Sequence, residues 1–465
     1  MIRFGIVLLA VSGMCACLTG DNLKLSEPGE EPRREDSGPQ PGEGLERCGL
    51  EDYAWLPSAQ VGHVVQSQKV LDLSQDLLSG LQFLLGAEFE VTLGREPSRD
   101  VVMHTFRYGT QDRGEPIEAT GLVVHPEVAM DTELPVILLL HGTTGATDRC
   151  APSLSVDDPG SDEFGTAILV GLLASYGYIV VAPDYIGLKA SGEPSPELHP
   201  YLVGEATAIA SWDALRAAET VVAEHSSNAL SAGSVAVWGA SQGGHAAAFT
   251  VRYGPYYAPE YTMSAGVYAI PPTDLNPHLS SALSEIRSAT ANTILFFATA
   301  SQWYRVGNGT SDIFLPPFDQ EIPAALAVDC SPSLDATSLD EVFTEAALES
   351  VSDRGFDGFE PWSCMATENS LTTTSVTRVD AVPGLMILAE NDTLVSSAIE
   401  RESFDRLCDQ GMELYFLECE GASHSEGFLF SIDNALDFID ETRAGTLNRA
   451  TQCARSAPVR CANTP

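Results

Sequence analysis

The stretch VAVWGASQGGHAAAF, from Val235 to Phe249, joins an apolar run, a serine flanked by glycines and an alanine-rich segment. The apolar run predicts a buried strand, and the alanine-rich segment predicts a helix. Gly239, Ser241 and Gly243 fit the G-x-S-x-G pattern, in which a nucleophilic serine lies on a tight strand-to-helix turn. A glycine turn before an ordinary helix is the alternative, but the strand–turn–helix context favours a reactive serine.

The segments around this motif alternate between apolar strands and helices. LPVILLLHG and YIVVAPDYIG are continuous apolar runs typical of strands buried on both faces, and GEATAIASWDALRAAETVVAEH has helical spacing. The earlier stretch VVMHTFRYGTQDRGEPIEATGLVVHP predicts a strand, a hairpin turn and a second strand. This order predicts an α/β protein with a doubly wound, mostly parallel sheet.

A serine hydroxyl becomes a useful nucleophile only when a base takes its proton. In this fold the chain order is serine, acid, histidine, and three histidines follow Ser241. His245 lies on the nucleophile's own helix, and His278 precedes the strand expected to carry the acid. His424 follows the strand ELYFLECEG in the loop GASHSEG, where a base is expected. We therefore predict His424 as the base.

The acid is expected just beyond the strand in LMILAENDTLV. Asp392 lies past the end of that strand, in the turn before the next helix, whereas Glu390 lies closer to the strand. We predict Asp392 as the acid that orients the imidazole, with Glu390 as the alternative.

The oxyanion of the reaction needs two backbone N–H groups. One is expected from Gln242, directly after the nucleophile. The other is expected from the loop HGTTG after an early strand, with Thr143 as the predicted donor. His141 in the same loop is expected to brace it rather than to take part in catalysis.

The alternation of strands and helices breaks between residues 274 and 379. We expect this segment to form a cap, or lid, inserted before the strand that carries the acid; a peripheral insertion is the alternative. It would divide the α/β core into residues 48–273 and 380–465, the latter with a disulfide-rich tail. Apolar residues of the segment would either line an acyl pocket or form the core of the cap: Trp303, Phe314, Phe318 and Trp362.

The N-terminus predicts export. Residues 1–16 have a basic residue, a short apolar run and small residues, as in a signal peptide. Residues 17–47 are an acidic Pro-, Gly- and Glu-rich linker, which we expect to be disordered because such a composition cannot form a core. Cleavage before Cys17 would leave eight further cysteines, an even number that predicts disulfides, with Cys453–Cys461 and Cys330–Cys364 plausible from proximity. Cys17 itself fits a lipid-anchored protein, and simple secretion is the alternative.

The charge of the chain argues against one class of partner. Its 465 residues include 65 acidic and 24 basic side chains, a net charge of −41, which repels nucleic acid. Lipid or small-molecule esters remain compatible with this surface, and we expect a monomer.

Five motifs in order, HGTTG…CAPS, VVAPDYIGL, WGASQGGH, AENDTLV and GASHSEGF, resemble the secretory lipase group of the α/β-hydrolases from about residue 108 to residue 439. The resemblance implies an acyl-ester hydrolase with a Ser–Asp–His triad, a lid before the acid strand and no metal or cofactor. The triad would fall on Ser241, Asp392 and His424. A serine peptidase of the same fold and a non-catalytic binding protein on this scaffold are the rivals, and a bulky aromatic or polymeric ester is an alternative substrate.

Overall fold

A computed structural model of the chain describes residues 2–3, 46–127, 132–156, 164–225, 230–354, 356, 358–379 and 381–465. Nearly all of the predicted signal peptide and linker, together with Cys17, lies outside these residues. Among the described helices, none has the length and hydropathy needed to cross a membrane.

The described core is built on one nine-stranded sheet, in the order β11-β10-β8-β7-β5-β6-β4-β3-β2. Neighbours are parallel from β11 to β6 and antiparallel from β6 to β2, so the predicted doubly wound, mostly parallel sheet is confirmed. The strands are β2 (Val64–Leu73), β3 (Val101–Asp112), β4 (Glu115–Pro126), β5 (Thr132–Leu140), β6 (Ile179–Pro183), β7 (Leu230–Ala240), β8 (Met263–Ala269), β10 (Gly384–Ala389) and β11 (Leu414–Cys419). A second sheet pairs β1 (Ile2–Arg3) with β9 (Ser333–Leu334).

Helices cover both faces of the main sheet, because alternate residues of its central strands bury apolar side chains on opposite sides. In β5, Leu138 and Leu140 face α3 and α4, whereas Ile137 and Leu139 face α1, α2 and α12. The helices are α1 (Gln75–Glu88), α2 (Phe164–Ser175), α3 (Gly204–His225), α4 (Gln242–Tyr257), α5 (Leu275–Ser284), α6 (Thr290–Trp303), α7 (Phe318–Leu326), α8 (Glu345–Arg354), α9 (Trp362–Glu368), α10 (Ser397–Asp409), α11 (His424–Leu429) and α12 (Ile432–Ala444).

The segment 274–379 is largely helical and lies between β8 and β10, so it enters the chain at the predicted place. Trp303, Phe314 and Trp362 are almost fully buried, and Trp362 packs edge-on against Phe297. Phe314 and Trp362 therefore belong to the packed interior of the segment, which is one of the two alternatives, whereas Trp303 donates a hydrogen bond to Asp112 of β3 and packs against the core. The role of the segment as a lid stays a prediction.

Four disulfides connect elements that are distant in sequence: Cys48–Cys364, Cys150–Cys330, Cys408–Cys453 and Cys419–Cys461. The expected pairs Cys453–Cys461 and Cys330–Cys364 are wrong. The C-terminal tail runs back along β11, where the Cys453 N–H donates to the Leu414 carbonyl, so the tail cysteines meet α10 and β11 rather than each other. Two of the disulfides attach the 274–379 segment to the core at separate points.

Candidate active site

Ser241 occupies a strained turn between β7, which ends at Ala240, and α4, which begins at Gln242. Its φ of 57° is unusual for a residue other than glycine. A side chain at Gly239 would place its Cβ 2.0 Å from the Gly243 carbonyl oxygen, and one at Gly243 would be equally close to the Leu140 carbonyl oxygen. Both glycines are therefore required by the close backbone approach that presents the serine at the end of the strand.

The structure brings the three predicted catalytic side chains together. Nε2 of His424 lies 2.9 Å from Oγ of Ser241, and its Nδ1 lies 2.7 Å from Oδ2 of Asp392. Because a carboxylate only accepts hydrogen bonds, Nδ1 carries the proton and Nε2 is left as the acceptor for the serine hydroxyl. The arrangement can take a proton from Ser241.

The acid and the base are each fixed by their local backbone. The second oxygen of Asp392 accepts the N–H groups of Leu394 and Val395, both at 2.8 Å, and the carboxylate is almost fully buried. His424 begins α11, whose start is held by the Glu426 carboxylate accepting the Ser423 N–H at 2.7 Å. The protein itself therefore fixes both the Asp392 carboxylate and the start of α11, which carries His424, without bound substrate.

The alternative residues make other contacts. Glu390 is exposed and accepts the Gly421 N–H at 2.8 Å. Nε2 of His278 lies 2.8 Å from the buried carboxylate of Glu400, and Nε2 of His245 lies 2.8 Å from the Asn369 carbonyl. The geometry favours Asp392 over Glu390 and leaves both other histidines outside the relay.

The two predicted oxyanion donors lie beside the serine, and their role stays a prediction. Gln242 is buried at the start of α4, and Thr143 lines the cavity that opens at Ser241. The Thr143 hydroxyl lies 3.1 Å from the Tyr201 hydroxyl. The neighbouring Thr144 also lines the cavity, and its buried Oγ1 has no hydrogen-bond partner among the described residues.

A group of rings beneath the strand ends was not predicted as a whole. His141 stacks on Tyr185, with ring centroids 4.2 Å apart, and Tyr185 stacks on His199. Nδ1 of His141 lies 2.7 Å from the Gly142 carbonyl, so this ring contacts the loop backbone. Burial lowers the pKa of His141 to about 4 and that of His199 to about 3, which keeps both rings neutral at ordinary pH.

Tyr185 and His199 of this group, and the nearby Asp184, are residues to which the sequence analysis assigned no role. Nε2 of His199 accepts from the side-chain amide of Gln242 at 2.6 Å. Asp184 is buried beside the cavity and accepts hydrogen bonds from Ser153 and Thr120; burial raises its pKa to about 6 against the opposing effect of those bonds. The sequences of the loops that carry His199 and Asp184 do not indicate these contacts.

The cavity at Ser241 has a volume of about 300 Å³, at the lower end of the range usual for small-molecule sites. Most of its lining is apolar, and α1, the segment after α1, α2 and α11 all contribute to it. Among residues of the 274–379 segment, the lining includes Asn292 but neither Trp303 nor Phe314. The acyl-pocket alternative for the cap aromatics is not favoured.

One group of potential metal ligands converges in the described part of the chain: Glu46, Cys48 and Cys364. Its two sulfur atoms are joined in a disulfide, which leaves a single carboxylate as ligand.

The profile of the secretory lipase family matches residues 163–295, the part of the chain that contains Ser241. No curated protein sequence is significantly similar to the chain.

Solved structures share the fold at low identity. The rice cell wall degrading esterase LipA from Xanthomonas oryzae aligns with a TM-score of 0.63 and 21% identity, covering 82% of this chain and 98% of the esterase. Candida antarctica lipase A aligns with a TM-score of 0.63 and 16% identity, over 90% of this chain and 91% of the lipase. A putative hydrolase from Legionella pneumophila gives 0.64 and 19%, over 83% and 99%.

The four disulfides and the family match indicate an exported protein. Together with the fold, the partial match to the secretory lipase family agrees with the resemblance noted in the sequence and supports a carboxylic ester hydrolase with the α/β-hydrolase fold.

Proposed function

We propose that this chain hydrolyses acyl esters through a Ser241–His424–Asp392 triad and an acyl-enzyme intermediate. The observation that carries the proposal is the unbroken hydrogen-bonded series from the Asp392 carboxylate through the imidazole to the Ser241 hydroxyl. This series ends at the mouth of a cavity whose lining is mostly apolar.

In the first half of the reaction, Oγ of Ser241 attacks the ester carbonyl carbon while Nε2 of His424 accepts its proton. Asp392 stabilises the imidazolium that forms and keeps the ring oriented. The tetrahedral intermediate collapses, the C–O bond of the ester breaks, and the imidazolium protonates the departing alkoxide. The acyl group then remains on Ser241.

In the second half, water attacks the acyl-enzyme while the same imidazole accepts a proton from it. Collapse releases the carboxylic acid and returns the proton to Oγ of Ser241. In both halves, the backbone N–H groups of Gln242 and Thr143 would stabilise the oxyanion, each to the extent of about 10²–10³ in rate. No step requires a metal or a cofactor.

Labelling with a fluorophosphonate tests the nucleophile directly. We expect the folded wild-type protein to be modified at Ser241, and Ser241→Ala to be unmodified and to lose on the order of 10⁶ in kcat on nitrophenyl esters. Equal turnover of both proteins would move the chemistry to another residue. Matched near-ultraviolet circular dichroism spectra would show that the variant is folded.

The two rival functions give different outcomes. A serine peptidase would be labelled at Ser241 but would cleave peptide amides more efficiently than esters of comparable acyl groups. A non-catalytic binding protein would not be labelled at all, because only an activated serine reacts.

We also propose that the chain is attached to a membrane by acylation of Cys17, which the acidic linker after it supports. Metabolic labelling with a fatty-acid analogue tests this attachment, and we expect the wild type to be labelled and Cys17→Ser to be unlabelled. If the protein is freely secreted, both will be unlabelled.

A further inference from the structure

Most of the apolar lining of the cavity at Ser241 lies on one face of the sheet, and Asn292 is the one described residue that the 274–379 segment contributes to it. Its apolar lining includes Leu139 of β5 and Leu169 and Leu172 of α2, all of which pack in the layer formed by α1, α2 and α12. Leu169 and Leu172 are three residues apart and lie on one side of their helix. The opposite layer holds α3, α4 and the helices of the 274–379 segment.

Part of the cavity is lined by α1 and the residues that follow it. Leu85, Phe89, Val91 and Leu93 all line the cavity, and none belongs to an element that carries a triad residue. The helix is held mainly by its contact with α2, and Leu78 is its one fully buried residue in the described structure. The apolar side chains of α1 and of the residues after it therefore line the same cavity as Leu169 and Leu172 of α2.

The outer side of α1 is unusual for a helix at the surface of a protein this acidic. Phe83 is 76% exposed and Leu84 is 55% exposed, next to Leu85, which faces the cavity. By contrast, the 274–379 segment is attached to the core by Cys150–Cys330 and Cys48–Cys364.

We propose that the acyl chain of the substrate binds between α1 and α2, on the sheet face opposite the 274–379 segment, with Leu85 and Leu169 setting the chain length accepted. This proposal rests on the proposed function, since it assigns one end of the cavity to the acyl group held at Ser241. The apolar lining fits an alkyl chain and offers few partners for a sugar or a peptide.

A series of nitrophenyl esters, from acetate through butyrate and octanoate to laurate, measures this site because only the acyl group varies. Each buried methylene is expected to raise kcat/KM by about fourfold until the cavity is filled. We expect Leu169→Trp and Leu85→Trp to lower the laurate-to-acetate ratio of kcat/KM at least about tenfold, the equivalent of about 1.4 kcal/mol. Leu84→Trp, a neighbouring substitution on the exposed side of α1, is the matched control and leaves the ratio unchanged.

Several results would overturn the assignment. The ratio would be the same in wild type and in both cavity variants if the chain lay elsewhere, and a wild type that prefers acetate would exclude a chain site altogether. A companion series of acetate esters with lengthening alcohols must be insensitive to Leu169→Trp; sensitivity there would assign the cavity to the leaving group.

A second measurement needs no folded variant. Wild-type protein modified at Ser241 by a long-alkyl phosphonate is crystallised, and the alkyl chain is expected between α1 and α2. A chain lying among α5–α9 overturns this inference while the proposed function stands. Failure of the phosphonate to modify Ser241 overturns the proposed function itself, so the two failures are distinguishable.

Discussion

The side-chain amide nitrogen of Gln242 lies 2.6 Å from Nε2 of His199. Nδ1 of His199 lies 2.9 Å from the Ile186 carbonyl, which only accepts, so Nδ1 carries the proton and Nε2 accepts from Gln242. Gln242 is the residue whose N–H is proposed to meet the oxyanion. His199 therefore holds the side chain of Gln242, the residue next to Ser241, although His199 itself has no direct contact with the proposed triad.

His199→Phe removes this acceptor and leaves the amide of Gln242 unpaired. We expect kcat to fall by about 10- to 100-fold with little change in KM, because part of one oxyanion contact is lost in the transition state. His245→Phe is the control: this histidine is equally buried on α4 but contacts Asn369. Equal kcat losses in both variants would point to a general loss of structure instead.

Asp392 and Glu390 are two positions apart in the sequence but contact different groups. We therefore expect their amide variants to differ strongly in kcat. Asp392→Asn is expected to lower kcat by about 10⁴, because the amide favours the wrong imidazole tautomer. Glu390→Gln is expected to stay within about twofold of wild type, since that residue is exposed and accepts only from the Gly421 loop. Steady-state kinetics on one nitrophenyl ester checks both; the reverse order would reassign the acid.

The turn that carries Ser241 and the chain order of the three proposed triad residues follow from local sequence patterns. The apolar run before Gly239 forms β7, the alanine-rich run after Ser241 forms α4, and the glycines are needed for the turn between them. His424 and Asp392 follow β11 and β10, whose apolar runs are equally clear. Chain order then leaves few candidates for each role.

The location of the cavity was not predictable, because it depends on which sheet face each helix covers. The helix α1 precedes the first strand recognised in the sequence, and its exposed Phe83 and Leu84 blur the apolar stripe by which a surface helix is recognised. His199 lies in an irregular loop whose sequence gives no hint that its ring stacks on Tyr185. Both features arise only from tertiary contacts.

The disulfides test tertiary placement independently of activity. Non-reducing digestion and mass spectrometry are expected to give linked peptides for Cys408–Cys453 and Cys419–Cys461, and none for Cys453–Cys461. We also expect replacement of both Cys150 and Cys330 by serine to lower the free energy of unfolding by about 2–5 kcal/mol, because the bond closes a long loop. Urea unfolding measures this, and an unchanged midpoint would contradict the pairing.

The buried carboxyl of Asp184 predicts a pH dependence of stability. Burial raises its pKa from an ordinary value of 3.8 to about 6 in the folded protein, so between these pH values the folded state binds more protons than the unfolded state. The tighter proton binding by Asp184 stabilises the folded state; this contribution is complete below pH 3.8 and is lost as pH rises through about 6. The shift corresponds to at most about 3 kcal/mol at neutral pH.

Asp184→Asn removes the ionisation and can still pair with Ser153 and Thr120, because its amide accepts and donates at the same positions. We therefore expect the free energy of unfolding of the variant, measured by urea titration relative to wild type, to increase between pH 4 and pH 7 by about 1–3 kcal/mol. The hydroxyls of Ser153 and Thr120 must rotate to accept from the amide. The cost of this rotation affects the difference in unfolding free energy between the two proteins equally at every pH, so it does not alter how that difference changes with pH. A difference between the two proteins that is constant across this range would show that Asp184 does not ionise within it.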